Sequence, residues 1–139
     1  MILLDTSGLL AALFADQRRH EACARVLLER DGPFILSPFV LAELDYLVAK
    51  LAGVEVELEL LAEVGRGAYD LQSFSASEIE EARRVIDRHS DLRPGLADAS
   101  IVVLSSRFRT VDLLTLDERH FRTLTGFEGR AFRLLPADL

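Results

Sequence analysis

Four acidic residues lie where a carboxylate is able to do chemistry. Asp98 is the only charge in the stretch GLADASIVVLSS, in which every other residue is apolar, small or a hydroxyl. A helix of that composition is predicted to be buried, and an ionised carboxylate is costly to bury without a partner. Asp5 directly follows the apolar run ILL, Asp117 follows VDLLT after one residue, and Glu43 lies early in FVLAELDYLV.

The chemistry that suits these residues is metal-assisted hydrolysis. Carboxylates that share one cleft repel each other, so at least one pKa rises unless a cation neutralises them. A hard divalent ion such as Mg²⁺, or alternatively Mn²⁺, takes oxygen ligands and needs only a few carboxylates. Such an ion polarises a phosphate, activates a water and stabilises the leaving oxygen. The four acids therefore predict a phosphodiester-cleaving site with no covalent nucleophile.

The elements that position these acids are predicted to be alternating strands and helices. Apolar runs predict strands at 2–5, 34–37, 69–74, 111–115 and 131–135, and amphipathic or apolar stretches between them predict helices. Thr6 or Ser7 is available to cap the first helix, and Ser75 with Glu78 forms a capping-box pattern. We therefore predict an α/β fold with three layers, in which helices cover both faces of a mostly parallel sheet.

The stretch VEVELELLAEVG is ambiguous. Residues 54–60 alternate strictly between apolar and acidic, as in a strand, whereas the apolar residues from 54 to 64 also fit helical spacing. Because Glu, Leu and Ala dominate this stretch, we predict a helix.

The predicted topology brings the four acids to one edge of the sheet. Ligands of open parallel sheets bind outside the carboxyl ends of the strands, where the first turns of the following helices also lie. Asp5 and Asp117 follow strands, and Glu43 and Asp98 lie early in helices. Asp45 competes with Glu43, but residues two apart on a helix point in nearly opposite directions, so only one of them enters the cleft.

Composition excludes several classes of protein. The 139 residues carry a formal charge of −7, and eight acids against one arginine between residues 54 and 82 account for all of it. A single cysteine, Cys23, excludes an internal disulfide or a multi-cysteine metal site. No apolar run is long enough to cross a membrane, and the first residues lack a basic segment typical of secretion signals. We expect one domain, residues 1–139, in a reducing cytoplasm.

Four motifs resemble those of a known family. ILLDTS, FVLAEL, LADASIV and TLDERHF are similar, in order and content, to the four acidic motifs of PIN domains, and more narrowly to VapC-type toxins of bacterial toxin–antitoxin pairs. The resemblance covers essentially the whole chain. It implies a metal-dependent endoribonuclease whose acidic cluster is Asp5, Glu43, Asp98 and Asp117. Of these, Asp5, Asp98 and Asp117 would be the ligands of Mg²⁺ or Mn²⁺, Asp5 and Asp98 foremost.

The resemblance also implies partners and supporting residues. Ser7 and Thr115 would support the cluster with their hydroxyls, and an antitoxin protein would block the cleft, often with an arginine. A homodimer is also implied. Since the net charge repels RNA, local arginines must bind it, and the residues considered for this role are Arg83, Arg84, Arg88, Arg107 and Arg109.

Other classes of protein fit the same residues less well. A receiver domain needs a second acid near Asp5, and a dehalogenase-type phosphatase needs an Asp where Ser7 stands. The stronger alternative is a catalytically silent PIN-like module that binds RNA or protein. His120 is close to Asp117, but we predict that it packs or hydrogen-bonds beside Phe121 and is not a general base.

Overall fold

A five-stranded, fully parallel sheet forms the centre of the protein, which is described over residues 1–139 by a computed structural model. The strands lie in the order β3-β2-β1-β4-β5, with Leu3 opposite both Ile35 and Leu113. The strands are β1 (Ile2–Leu4), β2 (Phe34–Leu36), β3 (Asp70–Leu71), β4 (Asp112–Leu114) and β5 (Arg133–Leu135). The predicted parallel α/β architecture is confirmed, with each strand shorter than its apolar run.

Helices connect the strands and cover the sheet. They are α1 (Thr6–Leu13), α2 (His20–Glu29), α3 (Pro38–Ala52), α4 (Val54–Gly65), α5 (Ala76–Arg88), α6 (Leu96–Phe108) and α7 (Glu118–Phe121), followed by a short 3₁₀ turn at Phe127–Gly129. All three residues of β1 are buried, and since successive side chains point to opposite faces, both faces are covered. The helix predicted over the ambiguous stretch is confirmed as α4. No helix has the length and apolar character required to cross a bilayer.

Helix α6 is the apolar helix that carries Asp98, and it is buried as predicted. Seven of its thirteen residues are buried, among them Ile101 and Leu104, which are 1% exposed. A helix packed this tightly has little freedom to shift. Any side chain in its first turn is therefore held in a fixed position at the carboxyl edge of the sheet.

Two buried serines join α6 to α3. The Ser100 hydroxyl donates to the Ala97 carbonyl (2.6 Å), and it lies 2.6 Å from the Ser37 hydroxyl at the start of α3. Because the Ser100 proton is already used, Ser37 is the donor of the hydrogen bond between them. Ser37 also accepts from the Phe39 N–H (3.1 Å) as the N-cap of α3. This pair fixes the helix of Glu43 against the helix of Asp98.

The observed helix caps match the predicted caps only in part. The capping box of Ser75 and Glu78 is present at the start of α5. The prediction that Thr6 or Ser7 caps α1 is wrong: Asp5 occupies the N-cap position, and its side chain makes no capping hydrogen bond. The Ser7 hydroxyl is instead engaged with Asp5 and with the loop after β4.

Gly8 permits the closest approach of α1 to the sheet. A Cβ at this position would lie 2.6 Å from the backbone carbonyl atoms of Leu114, far inside van der Waals contact. The absence of a side chain therefore lets the first turn of α1 rest on the end of β4. That contact brings Asp5 beside the residues that follow β4.

We expect Gly8→Ala to lower the free energy of unfolding by about 1–3 kcal/mol, because α1 must move away from rigid backbone. Gly65→Ala is the matched control. That glycine ends α4 with open space around it, and the same change should be neutral or stabilising by up to about 1 kcal/mol. Urea denaturation of both variants measures the difference. Equal stability of the two variants would contradict the close contact.

Candidate active site

Four carboxylates meet at the carboxyl edge of the sheet. Asp5 follows β1, Asp117 is the N-cap of α7 after β4, Asp98 lies in the first turn of α6, and Glu43 lies on α3. The pKa of Asp98 is raised to about 6, chiefly by burial and then by the negative charges of Asp5, Asp117 and Glu43. Because all three of the other acids act on Asp98, the structure brings together the four residues predicted from the sequence.

Asp5 is held by two hydroxyls. Its side chain is almost fully buried, and its Oδ2 accepts hydrogen bonds from Ser7 Oγ and Thr115 Oγ1, each at 2.7 Å. The Ser7 hydroxyl accepts from the Leu116 N–H (3.0 Å), and the Thr115 hydroxyl accepts from the Asp117 N–H (2.9 Å). Each hydroxyl therefore accepts a hydrogen bond from a backbone N–H and donates one to Asp5.

This arrangement fixes the loop after β4 to the carboxylate at the end of β1. Burial raises the pKa of Asp5, and the nearby charge of Asp117 adds to the rise, while the two hydroxyl hydrogen bonds oppose it. The rise prevails, so ionised Asp5 costs free energy here. Both hydroxyls donate to the same oxygen, which leaves Oδ1 without a hydrogen bond from either of them.

His120 belongs to the cluster, which the sequence did not predict. Its Nδ1 lies 2.8 Å from Asp98 Oδ2 and 3.0 Å from Asp117 Oδ2, although neither contact has the angles of a hydrogen bond. The positive charge of a protonated His120 would lower the pKa of Asp98. The available signal was the three-residue spacing from Asp117, which places both side chains on one turn of α7, where the backbone N–H of His120 also donates to Asp117 Oδ1.

The two acids of α3 have different surroundings. Glu43 is exposed and forms no hydrogen bond or ion pair, so its carboxylate is free at the rim of the cluster. Asp45, which was expected to be solvated or paired with a basic residue, is half-buried, has no ion pair, and its Oδ1 is buried without a hydrogen-bond partner. Its closeness to Glu57 of α4 raises the pKa of Glu57. That expectation for Asp45 was wrong, and Glu43 is the acid that faces Asp98.

The donor set at this edge fits a divalent cation. Ligand atoms of Asp98, Asp117 and His120 lie within 4.8 Å of one another, and the Asp5 carboxylate is close enough to influence Asp98. The cluster contains four carboxylates and one imidazole, whose Nδ1 is buried without an aligned hydrogen-bond partner. An excess of negative charge together with mainly oxygen donors is the chemistry that Mg²⁺ and Mn²⁺ prefer.

Comparisons with known proteins find similarity over nearly the whole chain. A family model described as the PIN domain matches residues 2–125. The chain is 43% identical over 135 residues to Ribonuclease VapC26 of Mycobacterium tuberculosis, an alignment that spans 97% of this chain and all of that protein. It also superposes on the crystal structure of Mycobacterium tuberculosis VapC20, titled a Sarcin-Ricin loop cleaving toxin, with a TM-score of 0.79 and 20% identity. That match covers 86% of this chain and 92% of the other.

Asp98→Asn is expected to stabilise the metal-free protein. The pKa of Asp98 in the folded state, about 6, lies above its ordinary value of 3.8, so the ionised carboxylate disfavours folding above pH 6. We expect the variant to gain about 1–3 kcal/mol of unfolding free energy at pH 7. The gain should shrink as the pH falls from about 6 to about 4, where Asp98 is protonated in both states.

Urea denaturation in EDTA at several pH values measures this gain. Asp91→Asn serves as the control, because Asp91 is exposed and forms no ion pair, and its stability should follow that of the wild type. A variant at Asp98 that is less stable than the wild type at pH 7 would be incompatible with carboxylate repulsion in the cluster.

Proposed function

This chain belongs to the PIN-domain family, and from that membership we propose that it is a metal-dependent endoribonuclease, the toxin of a toxin–antitoxin pair. The observation that carries the proposal is the convergence of four carboxylates on one sheet edge, where burial and the negative charges of the other three raise the pKa of Asp98 to about 6. The similarity to Ribonuclease VapC26 over nearly the whole chain supports RNA as the substrate. We also propose that residues 1–139 form a single domain.

Asp5, Asp98 and Asp117 are proposed as the residues that hold Mg²⁺, with Mn²⁺ as the alternative ion. When bound, the ion would polarise the scissile phosphate, lower the pKa of a water and stabilise the leaving oxygen. His120 contacts both Asp98 and Asp117. It is therefore either a further metal ligand or, when no metal is bound, the counter-charge of these two acids. Both roles keep the two carboxylates in place.

Three further residues have supporting roles: two orient a carboxylate and one accepts a proton. Ser7 and Thr115 orient the Asp5 carboxylate by donating to Oδ2. Glu43 is exposed at the rim without a partner, and we propose that its carboxylate accepts the proton of the attacking water. The leaving oxygen departs as the water oxygen bonds to phosphorus, so no covalent nucleophile on the protein is required.

The proposed partners follow from the same cluster. An antitoxin that places a guanidinium among the four acids would neutralise them as a metal does, and it would keep substrate out of the cleft. We further propose a cytoplasmic location, as for an enzyme that acts on cellular RNA, and a homodimer as the oligomeric state.

Cleavage of cellular RNA should require both the metal and Asp98. We expect cleavage by the wild type in Mg²⁺, none in EDTA, and a loss of about 100-fold or more in Asp98→Asn, because the variant removes a charge from the metal site. Asp91→Asn should cleave like the wild type. Gel analysis of a panel of cellular RNAs with each protein, free of antitoxin, gives the measurement.

Each result of this experiment is decisive for the proposal. Cleavage that needs Mg²⁺ and Asp98 supports it and reveals the target RNA. Cleavage that is unaffected by EDTA and by Asp98→Asn would refute the assigned mechanism. A folded wild-type protein that cleaves none of the RNAs would favour the silent RNA- or protein-binding module.

Mg²⁺ should also raise the melting temperature of the wild type, because the ion relieves the repulsion among the acids and binds only the folded state. The expected rise is smaller in Asp98→Asn and equal to that of the wild type in Asp91→Asn. Differential scanning calorimetry with and without Mg²⁺ measures this independently of activity. An equal rise in both variants would place the bound metal elsewhere.

A further inference from the structure

We propose that the RNA strand binds along an arginine groove beside the acidic cluster, formed by Arg18, Arg19, Arg25 and Arg30. The inference rests on the proposed function, because it supplies the surface that holds the phosphates flanking the scissile bond. It also assigns this role to arginines other than those selected from the sequence. The groove comprises three neighbouring depressions that all share Arg19.

The first depression touches the acidic cluster directly. It has a volume of about 150 Å³, with Arg18 and Arg19 on one side and Thr115 and Leu116 on the other. Thr115 donates to Asp5 and accepts from the Asp117 N–H, so this wall of the groove is also part of the active site. A phosphate bound by Arg18 or Arg19 would therefore adjoin the carboxylates.

The other two depressions extend from Arg19 along α2. One, of about 580 Å³, is lined by Arg19, His20 and Arg25. The His20 imidazole is held in place by a 2.7 Å contact between its Nδ1 and the Ala11 carbonyl oxygen. The other, of about 250 Å³, contains Arg19, Arg25 and Arg30. Together they continue the groove away from the cluster, as a strand with several phosphates requires.

The arginines of this groove are available to a ligand. Arg18, Arg19 and Arg30 have no carboxylate within salt-bridge distance, and Arg25 approaches only Glu29, at 3.6 Å on an exposed face. Glu118, the acid in the first depression, is already paired with Arg122 at 3.0 Å. Glu21 and Glu29 also line the two depressions along α2, but only Glu29 approaches a guanidinium of the groove. The unpaired guanidinium groups are therefore able to bind phosphate oxygens with two hydrogen bonds each.

Three of the arginines selected from the sequence are engaged elsewhere. Arg83 pairs with Glu80, Arg107 with Glu78 and Arg109 with Glu128. Arg107 also lies nine residues beyond Asp98 on α6, which is about 14 Å along the helix axis. These residues are therefore neutralised, and Arg107 lies at the end of α6 opposite the cluster.

The backbone of Arg19 is strained. Its φ of 64° and ψ of 21° lie in the left-handed region, where a residue other than glycine or asparagine is disfavoured. Glycine would relieve this strain at the start of α2. Arg93, Arg109 and Glu128, outside the groove, share this backbone conformation, so the strain is relevant only to the design of a variant.

Two double variants of equal charge change test the groove. Arg18→Glu/Arg19→Glu reverses two charges in the groove, and Arg84→Glu/Arg88→Glu reverses two exposed, unpaired charges on α5. Binding of a fluorescein-labelled, mixed-sequence RNA oligonucleotide is measured by anisotropy in EDTA, with every protein carrying Asp98→Asn so that RNA is not cut. Thermal melts check that each protein is folded.

We expect the groove variant to bind RNA at least about tenfold more weakly, and its slope of log affinity against log salt to fall by about 0.7 for each lost phosphate contact. The α5 variant should bind within twofold of its parent. Arg19→Gly gives a sharper separation: its melting temperature should be equal or higher, because backbone strain is relieved, while its affinity for RNA falls.

The outcomes separate this inference from the proposed function. A wild type that cleaves RNA, with a groove variant that binds like its parent, would overturn the groove alone. An equal loss in both double variants would also overturn it, since general electrostatics would then explain binding. A wild type that binds RNA through the groove but cuts none would support the groove and refute the nuclease. Weaker binding by Arg19→Gly at unchanged stability supports the groove.

Discussion

The buried carboxylate of Asp5 is the constraint on which the rest of the site depends. A carboxylate at this depth needs hydrogen-bond donors, and its surroundings supply two hydroxyls, from Ser7 and Thr115, that point at one of its oxygens. Those hydroxyls in turn accept the N–H groups of Leu116 and Asp117. One acid therefore orders the end of β1, the start of α1 and the loop after β4, and the contact at Gly8 is what allows these three to meet.

The cluster is destabilising for the free protein, and the scaffold around it is correspondingly rigid. The pKa values of Asp5 and Asp98 are both raised, so their ionised forms oppose folding at neutral pH. The opposing contributions come from the buried face of α6 and from the serine pair that joins α3 to α6. Because the site lies on packed helices and strand ends, the carboxylates cannot relax away from one another, and the repulsion remains available for a cation to relieve.

The sequence was sufficient to predict the strands and helices, which depend on local patterns. It was not sufficient to predict side-chain partners, which depend on tertiary packing. The parallel sheet, the buried helix of Asp98 and the helix over the ambiguous stretch follow from apolar runs and local propensities, which a sequence displays directly. Local propensity alone suits the Ser7 hydroxyl equally to an N-cap and to the carboxylate after β1. Only the family resemblance implied the second use, and the hydrogen bond from Ser7 to Asp5 agrees with it. His120 was missed because the spacing from Asp117 allows packing beside Phe121 as readily as entry into the cleft. The ion pairs of Arg83, Arg107 and Arg109 involve choices among many nearby acids, and residue type alone cannot make that choice.

Separation of charge within the chain resolves the conflict between an acidic protein and a polyanionic substrate. The net charge of −7 is accounted for by residues 54–82, which form α4, β3 and the beginning of α5, and the remainder of the chain is neutral. At about 0.15 M salt, charges separated by more than about 8 Å are largely screened, so a phosphate responds mainly to the groups it touches. Unpaired arginines beside the cluster therefore act on a bound strand more strongly than exposed glutamates on α4. The acids at the sheet edge repel that strand, and a cation held among them, as proposed above, would weaken this repulsion next to the scissile phosphate.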